Sequence, residues 1–326
     1  MGIRKRAEGG IIIPRQKKDD YQKIAGQIGI VSDEAGNSVI ARLGAKGLGP
    51  SSEDSEYPPH TMLKLSYLNY YIDIFARIAS SRKSKGGFSK VLFIDAFAGS
   101  GMVRIKGTDH VVLGSSLLAS LNDKFDKIIS FEIEPARAQM LRRRLDVLAP
   151  GRAQVIEGDV NKTIADIVKD QVTAKTIVLF FVDPEGMEPD YSQLKYLMDK
   201  TGYVDTMMNF TWGVYRLDGR IIKSKNFNDF EKMKKFLPTY APGVPPDDAL
   251  IEMFEGVFGK PYGDRVDIKS RGDNKVYSMI LRIRKTKGDT KFIDPIRDFG
   301  LIVGKYDGEK ALNILETIKG KQGSLQ

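Results

Sequence analysis

Short apolar runs alternate with helical patterns through the middle of the chain. Residues 90–97 form an apolar run that ends in a glycine-rich turn, which is typical of a strand buried on both faces. Between such runs the apolar residues recur at spacings of three and four, as from Thr61 onward. Strands alternating with helices predict right-handed crossovers and a parallel sheet. The other predicted strands are 127–132, 153–157, 175–182 and 203–210.

The two ends of the chain depart from this alternation. For residues 1–56 we expect a basic extension that is mobile over about the first 20 residues and carries a small hairpin over 27–44. The alternative for its basic cluster is an arm that contacts nucleic acid. Residues 57–326 then form the main domain. Late strands over 275–285 and 299–304 predict an antiparallel pair at the sheet edge, and a helix follows over 307–319.

Composition excludes several kinds of chemistry. The 326 residues contain no cysteine and two histidines, so we expect no disulfide, no thiolate catalysis and no metal site. No apolar run approaches the roughly 20 residues of a membrane span, and no signal-peptide pattern is evident. We therefore expect a cytoplasmic protein. The net charge of +9 fits a nucleic-acid partner and a basic soluble protein alike.

The segment Asp95-Ala-Phe-Ala-Gly-Ser-Gly101 follows the first strand of the alternating region. Ligands of open α/β sheets bind outside the carboxyl ends of the strands, and glycine lets the backbone pass close to a ligand. We expect Phe97, Gly99 and Gly101 to contact a cofactor. On its own, the loop fits a tight turn equally well.

Carboxylates follow the next three predicted strands at the same sheet edge. Glu132 is placed to accept hydrogen bonds from ribose hydroxyls, and Asp159, with Val160 beside it, to accept from an adenine amino group. Asp183 ends the fourth strand. Three acidic strand ends on one edge favour a ligand site, although each acid alone also fits a helix cap or a turn.

The same loop separates two classes of cofactor. A dinucleotide needs a third glycine where the loop opens directly into a helix, to hold its pyrophosphate. That glycine is missing, and a mixed basic and apolar stretch follows Gly101 instead. S-adenosylmethionine has no phosphate and carries a positive sulfonium, so we expect it as the cofactor, with Asp95 facing its cationic methionine end.

Several motifs together resemble the class I methyltransferase fold and, more narrowly, the three-Cys-motif partner protein (TcmP) family. The resemblance covers about residues 57–217 and implies a Rossmann-like class I methyltransferase sheet. With the late strands and the N-terminal residues taken from the sequence pattern, the expected fold class is α/β: this sheet, mostly parallel with a late antiparallel strand pair, plus a small N-terminal extension. The chain departs from the family at two positions. Glu185 replaces the phenylalanine of the usual Asp-Pro-Phe-Gly, and Ser100 stands where proline is usual. The motifs are His60-Thr-Met-Leu-Lys64, Phe93-Ile-Asp-Ala-Phe-Ala-Gly-Ser-Gly101, Leu113-Gly-Ser-Ser-Leu117, Phe131-Glu-Ile-Glu134, Gly158-Asp-Val-Asn161 and Phe181-Val-Asp-Pro-Glu-Gly-Met187.

Methyl transfer depends mainly on positioning the nucleophile. We expect Asp183, stiffened by Pro184, to orient an amine, and Glu185 to read a donor edge or act as a base. The alternative is that both acids cap the next helix. The segment Asp183-Pro-Glu-Gly186, here called the Asp-Pro loop, lacks the aromatic residue that stacks on a flipped base in nucleic-acid amino-methyltransferases. This absence weakens the comparison with those enzymes.

Two further groups are candidates for substrate binding. Trp212 and Tyr215 follow the fifth strand with Arg216 and Arg220, an arrangement suited to stacking on a base and holding phosphate; a core role for the aromatics is the alternative. His60 and Lys64 lie one helical turn apart, and a cap or packing role is the alternative for the histidine.

The leading hypothesis is an S-adenosylmethionine-dependent methyltransferase acting on nucleic acid, with RNA favoured, at an amine or ring nitrogen of a base. The alternative is a non-catalytic protein of the same fold that binds another protein or nucleic acid. Four acids near one predicted pocket favour the enzyme.

Overall fold

A seven-stranded sheet forms the centre of the structure, a computed structural model that describes residues 15–36, 38–186, 189–225, 227–284 and 291–323. The strands in chain order are β1 (Ser55–Tyr57), β2 (Lys90–Asp95), β3 (Met102–Ile105), β4 (Val111–Leu113), β5 (Lys127–Glu132), β6 (Ala153–Glu157), β7 (Thr176–Val182), β8 (Val204–Thr211), β9 (Tyr262–Lys269) and β10 (Lys275–Ile283). The helices are α1 (Arg15–Val31), α2 (Val39–Gly44), α3 (Thr61–Ser84), α4 (Ser115–Ser120), α5 (Pro135–Leu148), α6 (Val160–Gln171), α7 (Tyr191–Lys200), α8 (Trp212–Ser224), α9 (Phe227–Phe236), α10 (Pro246–Glu252), α11 (Asp294–Val303) and α12 (Gly308–Gly323).

The strand order of the large sheet is β6-β5-β2-β7-β8-β10-β9. Strands β6, β5, β2, β7 and β8 are parallel, and β10 is antiparallel to both of its neighbours. The chain leaves β2 toward β5 and β6 and then returns to β7 on the other side, so the order reverses at the carboxyl end of β2. Such a switch point is where open α/β sheets bind ligands. The predicted α/β fold, with a Rossmann-like sheet that is mostly parallel, is confirmed.

Helices cover both faces of the sheet and bury it completely in the middle. All of β7 is buried, which explains why its sequence is a continuous apolar run. One face packs against α1, α3, α4, α5, α11 and α12. The other face packs against α6 to α10. Among the described residues, no helix is both long and apolar enough to cross a membrane.

The hairpin predicted over residues 27–44 is wrong. These residues form the end of α1, a turn and α2. Ile24, Ile28 and Val31 are fully buried against the main domain, and their spacing is that of a helix. Short apolar runs fit a strand and a helix equally well when tertiary packing is unknown. Residues 1–14 lie outside the described residues, so the expected mobile tail stays a prediction.

The late antiparallel strand pair is confirmed, but one of its members differs from the prediction. The strands are β9 and β10, and residues 299–304 belong mainly to α11. Phe299, Ile302 and Val303 are buried on one side of that helix. Pro295 near its start suits a first helical turn.

Strands β1, β3 and β4 form a second, three-stranded sheet that the sequence did not predict. Strand β1 pairs in parallel with β3, which begins directly after the glycine loop. This pairing places residues 48–57, here called the 48–57 segment, beside that loop. Part of the N-terminal extension is therefore folded against the main domain.

Candidate functional site

A cleft of about 490 Å³ lies at the carboxyl ends of β2, β5, β6 and β7. Its volume is within the range of small-molecule and cofactor sites, about 300–1,000 Å³. The sheet topology brings together side chains that are far apart in the chain. Of the residues singled out in the sequence, those that line the cleft are Lys64, Phe97, Gly99, Gly101, Glu132, Asp159, Val160, Asp183 and Glu185.

The glycine loop needs its glycines for two different reasons. Gly99 (φ 60°) and Gly101 (φ 93°) both have left-handed backbone. A β-carbon on Gly101 would lie 2.8 Å from Leu141 Cδ1 and 3.0 Å from Leu117 Cγ, whereas one on Gly99 would meet no atom within 4 Å. Gly101 therefore lets the loop pack closely on α4 and α5, and Gly99 leaves open space in the cleft.

Asp95 does not line the cleft, so the prediction that it faces the methionine end of a cofactor is wrong. Its side chain is fully buried, and Oδ2 accepts hydrogen bonds from Ser115 Oγ (2.5 Å) and Ser116 Oγ (2.7 Å). The Phe97 N–H donates to Oδ1 at 3.3 Å. Burial raises the pKa of Asp95 to about 6. The carboxylate shapes the loop from beneath by joining it to the start of α4.

Glu132 and Asp159 line the cleft at neighbouring strand ends. Glu132 Oε1 accepts from the Glu134 N–H at 2.8 Å. Asp159 is the N-cap of α6 and accepts from the Asn161 N–H at 3.0 Å, so the capping alternative for Asp159 is confirmed. A carboxylate has about four acceptor positions, so each retains capacity for a ligand.

Asp183 is held by one residue from a helix and one from a strand. Lys64 Nζ lies 2.6 Å from Asp183 Oδ2, and Asn209 Nδ2 donates to Oδ1 at 2.7 Å. The next helix, α7, is capped by Asp190, so capping does not explain Asp183. Two fixed partners give the carboxylate a defined orientation in the cleft.

Glu185 and Pro184 complete this part of the cleft. Tyr57 OH donates to Glu185 Oε1 at 2.8 Å. Burial and then this carboxylate raise the pKa of Tyr57 well above its ordinary value, so its hydroxyl keeps its proton. Pro184 is buried and does not line the cleft; Glu185 is exposed. Glu185 therefore does not cap α7 either, since its hydrogen bond runs to β1.

His60 is a packing residue behind the cleft. It is 8% exposed, and its ring meets the ring of Tyr277 edge-on with centroids 5.5 Å apart. Burial and the nearby charge of Lys64 lower the pKa of His60 to about 4, so it is neutral near pH 7. The packing alternative for His60 is confirmed, while Lys64 reaches the cleft.

The other predicted substrate-binding residues lie on α8. Tyr215 is part-buried, and Lys275 Nζ lies 3.4 Å from its hydroxyl. Arg220 Nε pairs with Asp229 Oδ2 at 3.2 Å, and Arg216 is exposed. None of these three side chains on α8 lines the cleft. The side chain of Trp212 is outside what the structure describes.

Sequence reasoning missed Tyr57, Asn209 and Arg144. Asn209 had a signal, because an amide inside an apolar strand needs a buried partner. Tyr57 lies in a segment with linker composition, and Arg144 lies in a run of arginines that is typical of a solvated helix face. Within the described ranges, no cluster of three or more His, Cys, Asp or Glu side chains is arranged to hold a metal ion.

Comparison with known proteins gives only distant similarities. No family model matches the chain, and no curated protein matches its sequence. A putative O-methyltransferase from Klebsiella pneumoniae has 13% identity and a TM-score of 0.40, covering 76% of this chain and 89% of that one. The O-methyltransferase TomG from Streptomyces achromogenes, in complex with S-adenosylmethionine, has 11% identity and a TM-score of 0.40, covering 84% and 100%. An rRNA methylase from Streptococcus thermophilus has 10% identity and a TM-score of 0.37, covering 66% and 95%. Scores this low carry no argument, and the fold is established by the strand order of the chain itself.

Proposed function

We propose that the chain is an S-adenosylmethionine-dependent methyltransferase that acts on nucleic acid, with RNA favoured, at an exocyclic amine or ring nitrogen of a base. One observation carries the proposal. The glycine loop, Glu132, Asp159 and Asp183 line a single cleft at the switch point of the sheet.

The residues in the cleft fit this cofactor in size and in chemistry. Glu132 suits the ribose hydroxyls and Asp159 the adenine amino group, while the open space at Gly99 suits a close approach to the backbone. The carboxylates of Asp183 and Glu185 complement a positive sulfonium.

A dinucleotide fits the same cleft poorly. The glycine loop leads into β3 and β4, and α4 begins only at Ser115. The loop therefore does not open directly into a helix whose N-terminus would hold a pyrophosphate. S-adenosylmethionine, which has no phosphate, is therefore favoured by the path of the loop as well as by the match between its positive sulfonium and the carboxylates.

The chain itself positions and deprotonates the acceptor. The glycine loop, Glu132 and Asp159 would hold the cofactor, which would supply an electrophilic methyl group and keep the electrons of its carbon–sulfur bond on sulfur when the methyl leaves. Asp183, fixed by Lys64 and Asn209, accepts a hydrogen bond from the acceptor N–H and so directs the nitrogen lone pair. It then takes the proton that the methylated nitrogen releases.

A nucleic-acid substrate is supported by charge. The chain carries a net charge of +9. Arg137 lines the cleft, and three more cations are exposed nearby: Arg104 on β3, Lys106 in the turn after β3 and Lys162 on α6. Such cations suit a phosphate backbone. Membership of the three-Cys-motif partner protein family stays a prediction that rests on the motifs.

Titration calorimetry with S-adenosylmethionine and S-adenosylhomocysteine tests the cofactor. We expect the wild-type protein to bind both, and Glu132→Gln to weaken binding by about tenfold or more, the value of a hydrogen bond to a charged group. Asp170→Asn, an exposed change on α6, is the matched control and keeps wild-type affinity. Absence of binding to the wild type would overturn the proposal.

Transfer of labelled methyl groups to total RNA, DNA and protein tests the reaction. We expect label in RNA, and a loss of about 100-fold or more in Asp183→Asn, the range of a positioned acid–base group. This variant should still bind S-adenosylhomocysteine. Cofactor binding without transfer to any substrate would favour the non-catalytic alternative, a protein of this fold that binds another protein or nucleic acid.

A further inference from the structure

Tyr57 brings an aromatic ring to the substrate end of the cleft. It lines the cleft at the end of β1, and its hydroxyl is bonded to Glu185. Lys64 Nζ lies 5.9 Å from the centroid of its ring. The ring is therefore next to both the Asp-Pro loop and the cation that holds Asp183, in the place where the sequence of that loop has no aromatic residue of its own.

The backbone that carries Tyr57 is firmly held. Tyr57 pairs with Ile105 in the β1–β3 ladder, and the Lys106 N–H donates to the Tyr57 carbonyl at 2.9 Å. Earlier in the 48–57 segment, the buried Asp54 forms an ion pair with Arg144 and accepts from Ser100 Oγ at 2.6 Å. A ring fixed before binding loses little entropy when a ligand stacks on it.

The remaining aromatic residues of the described cleft lie elsewhere along it. Phe97 follows β2, and Phe131 is in β5 and fully buried. Both are on the side assigned to the cofactor. Tyr57 is the one in hydrogen-bond contact with the loop that carries Asp183 and Glu185.

The polar groups beside Tyr57 suit the edge of a base. Asp183 accepts from an amino group. The ammonium of Lys64 has three donors, one of which is directed at Asp183, so it can also donate to a ring nitrogen or carbonyl next to that amino group. A carboxylate and an ammonium side by side thus match a base edge on which a donor neighbours an acceptor.

We propose that Tyr57 is the platform on which the acceptor base stacks, so that the substrate is an unpaired base, in single-stranded or flipped form, with its edge toward Lys64 and Asp183. This inference rests on the proposed function. Stacking on an aromatic ring tolerates any base, since every base has a π-face. Tyr57 therefore selects unpaired over paired nucleic acid, while Lys64 and Asp183 select the edge of the base that is presented for methylation.

Binding measurements test the platform without requiring activity. The probe is a fluorescein-labelled single-stranded RNA of about 12 nucleotides, a length in the range of single-strand binding sites. Its affinity for the protein is measured by fluorescence anisotropy in the presence of S-adenosylhomocysteine. We expect Tyr57→Leu to weaken binding by about tenfold or more, the value of stacking one base. Tyr57→Phe, the matched control, keeps the ring and should stay within about threefold of wild type by the same reasoning. The same RNA as a duplex should bind more weakly than the single strand, since its bases are already stacked and paired.

The outcomes separate this inference from the proposed function. Unchanged RNA affinity in a Tyr57→Leu protein that retains wild-type thermal unfolding overturns the platform, as does a wild type that binds no single-stranded nucleic acid. An equal loss on single-stranded DNA supports the platform without selection of the sugar. If the wild type binds no S-adenosylhomocysteine, the proposed function itself fails.

Discussion

Arg144 offers the sharpest test of how the cleft is held together. Its fully buried guanidinium donates to the carbonyls of Leu48 (3.0 Å), Gly49 (2.6 Å) and Ser100 (3.0 Å). It also donates to both carboxylate oxygens of Asp54, at 2.5 and 3.2 Å. Arg144→Met fills this space with an apolar side chain and removes all of these hydrogen bonds. The change should loosen the 48–57 segment from the glycine loop.

The cost follows from what the variant leaves behind. Asp54 would remain a buried charge with only the Ser51 N–H (2.7 Å) and Ser100 Oγ as partners. Removing one member of a buried ion pair costs about 3–5 kcal/mol. The three carbonyls add to this, so we expect a loss of about 5 kcal/mol in the free energy of unfolding. At about 2 °C per kcal/mol for a large chain, the unfolding midpoint should fall by about 10 °C.

Urea and thermal unfolding measure this loss. Arg143→Met is the matched control, since Arg143 is exposed on the same helix and its replacement should change stability by about 0.5 kcal/mol at most. Adding Asp54→Asn to Arg144→Met removes the stranded charge and should restore about 2 kcal/mol. A loss below about 1 kcal/mol in Arg144→Met, or no recovery in the double variant, would refute the reasoning.

Two further predictions concern the same region. Because burial lowers the pKa of His60 from 6.5 to about 4, the neutral ring contributes stability that is present above pH 6.5 and is lost as the pH falls toward 4. Relative to His60→Phe, urea unfolding of the wild type should lose about 2–3 kcal/mol over this interval, and identical pH profiles would contradict the prediction. Gly101→Ala should cost about 2–4 kcal/mol, because left-handed strain adds to overpacking against Leu141 and Leu117. Gly99→Ala carries only the strain of about 1–2 kcal/mol, and thermal unfolding that ranks the two variants equally would disprove the packing argument.

The sequence by itself determined the central sheet and the acidic edge of the cleft. All five predicted parallel strands are present, with ends that differ from the predictions by at most two residues. The short apolar runs that predict strands, and the spacing of apolar residues that predicts the helices between them, are local properties of the chain. Once strands and helices alternate, the carboxyl ends of the parallel strands must meet at one edge, and this alone brings Glu132, Asp159 and Asp183 together.

Arg144 shows where a sequence pattern was open to two interpretations. A run of three arginines is typical of a solvated helix face, and Arg142 and Arg143 are indeed exposed. Arg144, however, lies three residues after Leu141 and next to Leu145, on the buried side of α5. Helical periodicity placed it inward, but only the structure supplies Asp54 and the carbonyls that make a buried guanidinium stable.

Only the tertiary structure decided which side chains from distant parts of the chain pair in the cleft, and on which side of the backbone each acid lies. Tyr57 and Glu185 are 128 positions apart, and Lys64 and Asp183 are 119 apart. Asp95 follows the same strand-end rule as the other acids, yet it is buried beneath the loop by Ser115 and Ser116. The physical reason is that backbone pattern is set by near neighbours, whereas the partner of a polar side chain is set by whichever distant element packs against it.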